Sequence, residues 1–183
     1  MLAFVTRLCS RTAISLAAVI SLGSTQSPML PAGQPLSYSA VTTTQGADPH
    51  AYGVRLDLYK QGGDWSGFIV VYAGSVADPP AGKLDDFRLD ESAGTIGFTS
   101  KLSVGVTRGT ADWVPTRDLY EFTGEVNAGA IVGTLVKRQV DSKAESREYV
   151  VFRRQPHETA AAPSHDAWLG GWNKVLQVRG PKW

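Results

Sequence analysis

Arg117 and Asp118, followed by Tyr120 and Glu121, form the densest cluster of chemically capable side chains, at the start of an alternating run. Arg117, with Arg55 or Arg108, has the guanidinium forks to grip an anionic ligand by paired hydrogen bonds. The plainer reading is a solvated ion pair worth well under ~1 kcal/mol. Asp85, Asp86 and Asp90 could serve acid–base chemistry or Ca2+. Lacking a fixed ligand spacing, they read better as an acidic strand edge that discourages sheet pairing. His157-Glu158 lacks the second histidine of a zinc-protease helix. With His165 and Asp166 it reads as a solvated linker, and His50 beside Asp48 as the beginning of a strand. No serine-nucleophile pattern, P-loop or dinucleotide fingerprint occurs. No catalytic residue is assigned, and neither metal nor cofactor is expected.

Export is the reading of residues 1–27. Arg7 and Arg11 supply a positive start, Ala13 to Leu22 an apolar run, and Gly23 to Ser27 small residues suited to cleavage. The run is too short to span a bilayer. Cys9, the sole cysteine, precedes it, whereas a lipid-anchored cysteine would follow it. The alternative is a mitochondrial presequence, because no acidic residue occurs before Asp48. A mature chain without Cys9 has no disulfide, cysteine nucleophile or Cys-bound zinc. The full chain has 18 basic and 17 acidic residues; losing Arg7 and Arg11 leaves a net charge of −1. Bulk charge therefore argues against nucleic acid or an anionic membrane as partner.

The elements that would position these side chains are strands. In Arg117 to Arg138, Tyr120, Phe122, Gly124 and Val126 fall on one face and Leu119, Glu121, Thr123 and Glu125 on the other. Asn127-Ala-Gly breaks the pattern before Ala130 to Val136 resumes it, the signature of a β-hairpin. Ala51 to Lys60 and Thr95 to Val104 alternate likewise. Trp65 to Tyr72 is apolar on both parities, so it must be covered on both faces. Lys83 to Asp90 slips parity near Asp85-Asp86, as at a bulge. Tyr38 to Thr44 reads as an edge strand, Gly105 to Thr116 as a loop, 139–147 as a charged connection and Glu148 to Arg153 as the last strand. The expectation is an all-β, antiparallel up-and-down meander of seven or eight strands closing into a barrel, with a β-sandwich as alternative. Residues 28–37 are a Pro-rich lead-in, 38–155 the barrel, 156–166 a linker and 167–183 a Trp-rich tail. In that tail Trp168, Trp172, Val175 and Leu176 fall on one helical face, although Gly170-Gly171 weakens a helix.

Gly63-Asp64-Trp65 opens a strand, and with the hairpin FTGEVNAGAIVGTL it resembles small exported barrels of the lipocalin and avidin-like kind. The resemblance spans residues 50–154 as strand grammar but only three residues as motif. It departs from the lipocalin pattern in having at least one strand before the tryptophan. It implies that Trp65 closes one end of the barrel. The leading expectation is a binding module for a small apolar or amphipathic ligand, met by Trp65, Phe98, Arg117, Tyr120 and Phe122. An accessory subunit docking a protein partner through Trp168, Trp172, Val175 and Leu176 is the second reading. A barrel isomerase or hydrolase without a recognisable motif is the third. No membrane span is expected in the mature chain.

Overall fold

The computed structural model describes residues 30–109, 112–127, 129–156 and 162–183. The leader and the His157-Glu158 pair lie outside them. In chain order the elements are β1 (Pro35–Thr43), β2 (Ala51–Gln61), β3 (Asp64–Gly74), β4 (Ala81–Lys83), β5 (Asp85–Asp90), β6 (Thr95–Leu102), β7 (Val106–Arg108), β8 (Trp113–Pro115), β9 (Asp118–Asn127), β10 (Ala130–Gln139), β11 (Glu145–Arg154) and α1 (His165–Arg179). Nine strands form one antiparallel sheet in the order β4-β3-β2-β1-β11-β10-β9-β6-β5, nearly closed into a barrel, and β7-β8 form a separate hairpin.

Local order follows from the alternation. Tyr120 pairs with Lys137, Phe122 with Leu135 and Gly124 with Gly133 across the central hairpin. Every second residue of these strands points inward, which buries Phe122, Ile131 and Leu135 almost completely. Phe98 stacks on Phe122 at 5.2 Å between centroids, and Phe152 meets Phe122 edge-on at 5.5 Å. The inward glycines Gly124 and Gly133 make room for that ring: a Cβ on either would stand 2.7–2.8 Å from Phe122 Cζ. The middle of the barrel is therefore filled by side chains.

Closure comes from two long-range joints. Strand β1 pairs with both β2 and β11, with Tyr38 opposite Arg154. It is thus no edge strand, contrary to the reading of Tyr38 to Thr44. Burial of Leu36 and Tyr38 draws it inside and starts it at Pro35. The second joint is the stretch 81–90. It pairs first with β3 and then, past buried Leu84, with β6. A register shift between Asp85 and Arg88, with Asp86 at φ 49°, turns it, so the parity slip is a true bulge. Ser100 donates to the Lys83 carbonyl at 2.7 Å across the seam.

Two further segments depart from expectation at their margins. The loop 105–116 contains the β7-β8 hairpin, and the charged connection shrinks to a turn because β11 starts at Glu145. The tail, open between helix and extended chain, is helical. Ser164 caps it by accepting the Ala167 N–H at 3.3 Å. Gly170-Gly171 are tolerated because the tryptophans on either side are held from outside. Trp172 stacks on Phe68 at 4.6 Å, and Trp168 meets Phe68 and Tyr59 at 5.2 and 5.3 Å. Helix α1 thereby covers the outer face of β3, where Phe68 and Val70 are buried. Arg179 pins its end to the Ala77 carbonyl and Asp78.

Candidate ligand site at the barrel mouth

The two ends of the barrel differ because their connections differ. The short links from β2 to β3, from β5 to β6 and from β9 to β10 close one end. Trp65 lies there, half-buried against Phe87 at 6.5 Å, with the Lys60 ammonium 5.5 Å from its ring. The gap left there, between Leu30, Leu89 and Val126, is about 10 Å3, barely one water. The longer connections 44–50 and 75–80, the excursion between β6 and β9 that carries β7-β8, and the turn between β10 and β11 all leave from the other end. That end carries an open depression of about 480 Å3, lined among others by Tyr52, Val54, Val71, Tyr120, Leu135 and Lys137.

Its floor is built by inward parity carried to the ends of β9 and β10. Continuing Phe122 and Tyr120 backwards reaches Asp118, and continuing Ile131 and Leu135 forwards reaches Lys137. Asp118 is fully buried. One carboxylate oxygen, Oδ2, accepts the Val104 N–H at 2.9 Å and the Thr116 hydroxyl at 2.5 Å, pinning the base of the β7-β8 excursion. Oδ1 makes no hydrogen bond, and the Lys137 ammonium stands 3.4 Å from it. Lys137 Nζ also lies 5.7 Å from the centre of the Tyr120 ring. Burial, and then the negative charges of Asp118 and Glu148, raise the Tyr120 hydroxyl's pKa, so it stays protonated at neutral pH. Tyr52 stands at the rim with half its surface exposed, and Arg147 and Glu148 complete that rim from β11.

The residues expected to meet a ligand are thus dispersed. Tyr120 lines the mouth, Phe98 and Phe122 are sealed in the middle layer, and Trp65 is at the far end. Arg117 points outward and forms a forked ion pair with Asp141. Arg117 and Arg108 do share an exposed groove of about 640 Å3 beside the β7-β8 hairpin, whereas Arg55 is bound to Asp57 and the Tyr72 hydroxyl elsewhere. Trp168 and Trp172 face the barrel, and Val175 and Leu176 on the same helix are half-buried. Asp90 accepts the N–H groups of Ser92 and Ala93 and so organises its own turn. Among the described residues no three His, Cys, Asp or Glu side chains are grouped to hold a metal. No described helix is long and apolar enough to cross a membrane. Sequence reasoning missed Lys137, although the hairpin register alone sets it beside Tyr120.

No family model matches this chain, and neither a curated protein nor a solved structure does.

Proposed function

We propose that this chain is an exported, lipocalin-like barrel that binds a small amphipathic molecule at its open end. One observation carries the reading: a barrel packed solid at its middle and closed end opens at the other into a depression of about 480 Å3. Apolar and aromatic walls over a few convergent polar groups are the usual make-up of a small-molecule site, and the size falls in the usual range. The end-on position of Trp65 supports the resemblance drawn from Gly63-x-Trp65. The stripe offered to a protein partner has its two tryptophans occupied by Phe68, which favours binding over docking through the tail.

The neutral fluorophore N-phenyl-1-naphthylamine tests the site. Saturable binding is expected, weakened by Ser146→Trp, which fills the rim from an exposed position without touching the core. Absence of saturable binding, or binding indifferent to that substitution, overturns the reading. Export is tested by the intact mass of the protein from its own host. A chain starting between about residues 23 and 28 is expected, and a chain starting at Met1 defeats it.

A further inference from the structure

The inward face of β10 is apolar or glycine from Ile131 to Leu135 and then places a lysine at the mouth. Neutralising Asp118 accounts for only part of Lys137. Asp118 Oδ2 is already satisfied twice, and Oδ1 faces the ammonium on one side at 3.4 Å. An ammonium carries three donors, and the Lys137 ammonium makes no hydrogen bond among the described residues. Its side chain is 34% exposed while Asp118 beneath it is wholly buried, so the open side of the ammonium is the depression. A cation is thus held from below by a buried carboxylate and presents unused N–H groups to a cavity with apolar walls.

We propose that the molecule bound at the mouth is a small carboxylate with an apolar body, its carboxylate held by Lys137. This inference rests on the reading of the mouth as a binding site and adds the class of ligand. The apolar body would lie against Tyr52, Val54, Val71 and Leu135, whose surfaces lead from the lysine toward the rim. Partial desolvation by those walls strengthens the charge pair relative to water. The rim sorts ligands by orientation. Arg147 is drawn 3.7 Å from Glu145, and Glu148 sits beside it, so the rim has no net positive charge to compete with the floor. The groove at Arg108 and Arg117 is a weaker candidate because the Arg117 fork is already filled by Asp141.

Titration calorimetry with three probes of one shape decides it: 2-naphthoate, the neutral 2-naphthalenemethanol and the cationic 2-naphthylmethylammonium. The expected order places naphthoate first by ~10-fold or more, the worth of a hydrogen bond to a charged group. Lys137→Gln should erase that preference and Lys137→Arg should retain most of it. Because Lys137→Gln leaves Asp118 buried without its cation, the double variant Asp118→Asn, Lys137→Gln guards against misfolding and should show the same lost preference. Equal binding of naphthoate and the alcohol overturns the inference, as does tighter binding of the cation. Survival of the preference in the folded double variant also overturns it, and its loss in Arg117→Gln instead would place the anion in the outer groove. If N-phenyl-1-naphthylamine binds at the mouth while none of the three probes does, the carboxylate inference fails and the binding reading stands. If that fluorophore fails too, both fall.

Discussion

Phe122 shows how closely single residues are matched inside this barrel. Its ring touches Phe98 and Phe152 and occupies the space left by Gly124 and Gly133. Phe122→Ala should cost about 3–5 kcal/mol, from lost transfer energy plus a cavity. Gly133→Ala should cost about 1–3 kcal/mol by overpacking, since its Cβ would stand 2.3 Å from the Thr123 carbonyl and 2.5 Å from Gly124 Cα. Urea denaturation measures both, and a loss below about 1 kcal/mol for Phe122→Ala would contradict the register. Asp57 is a second residue with a definite consequence. Its burial raises the carboxyl pKa above the ordinary 3.8, against the lowering effects of Arg55 and Ser37. The folded state then holds the proton to higher pH than the unfolded chain. Asp57's contribution is therefore favourable below about pH 4 and is lost as pH rises through the folded pKa. Asp57→Asn should flatten that fall, seen as a smaller decline in the urea midpoint between pH 4 and 7. An unchanged pH slope would show that Asp57 does not govern it.

Helix α1 is the element whose formation depends most on its surroundings. Two adjacent glycines cost it roughly 1 kcal/mol each relative to alanine, and no residue in it is fully buried. Stacking of Trp168 and Trp172 on Phe68 supplies what the helix lacks alone. In return it removes Phe68 and Val70 from water on the outer face of β3. Deleting residues 167–183 should lower the unfolding midpoint of the isolated protein, because two tryptophans bury a few hundred Å2 at ~25 cal/mol per Å2 before ordering costs. An unchanged midpoint would mean the contact contributes nothing to stability. The β7-β8 hairpin stands out from the barrel with Trp113 69% exposed and is held at its base by Asp118. Its integrity therefore belongs to the floor of the mouth as much as to its own two short strands.

At the scale of the whole molecule, stability rests on joining strands far apart in sequence. The pairing of β1 with β11 and the switch of 81–90 from β3 to β6 remove the edges that an open meander would leave. Gly82 sits at the tightest point of that switch. A Cβ there would lie 2.4 Å from the Ser100 hydroxyl and 2.5 Å from the Lys101 carbonyl, and the latter is backbone. Gly82→Ala should therefore prise β4 from β6 and cost about 1–3 kcal/mol. It should also speed amide exchange in β3 and β4 more than in the β9-β10 hairpin. Uniform exchange rates would show that the seam does not open locally.

What the sequence determined by itself was periodic. Alternation named the inward sets on β2, β6 and β9, placed the bulge at Asp85-Asp86, and showed that residues 65–72 needed cover on both faces. These are local consequences of a two-residue repeat, which any neighbouring strand would respect. The hairpin register also held the signal that sets Lys137 beside Tyr120, but it went unread because the polar cluster at Arg117 drew attention outward instead. Tertiary structure decided the rest. Which inward residues are sealed and which line an opening depends on where the long connections leave the barrel, and alternation is identical at both ends. Whether Tyr38 to Thr44 is an edge or an inner strand depends on the meeting of β1 and β11, more than a hundred residues apart. The tail's helix depends on Phe68 being free to stack, since its own glycines oppose it. Each of these is a contact between distant parts of the chain, to which a local repeat is blind.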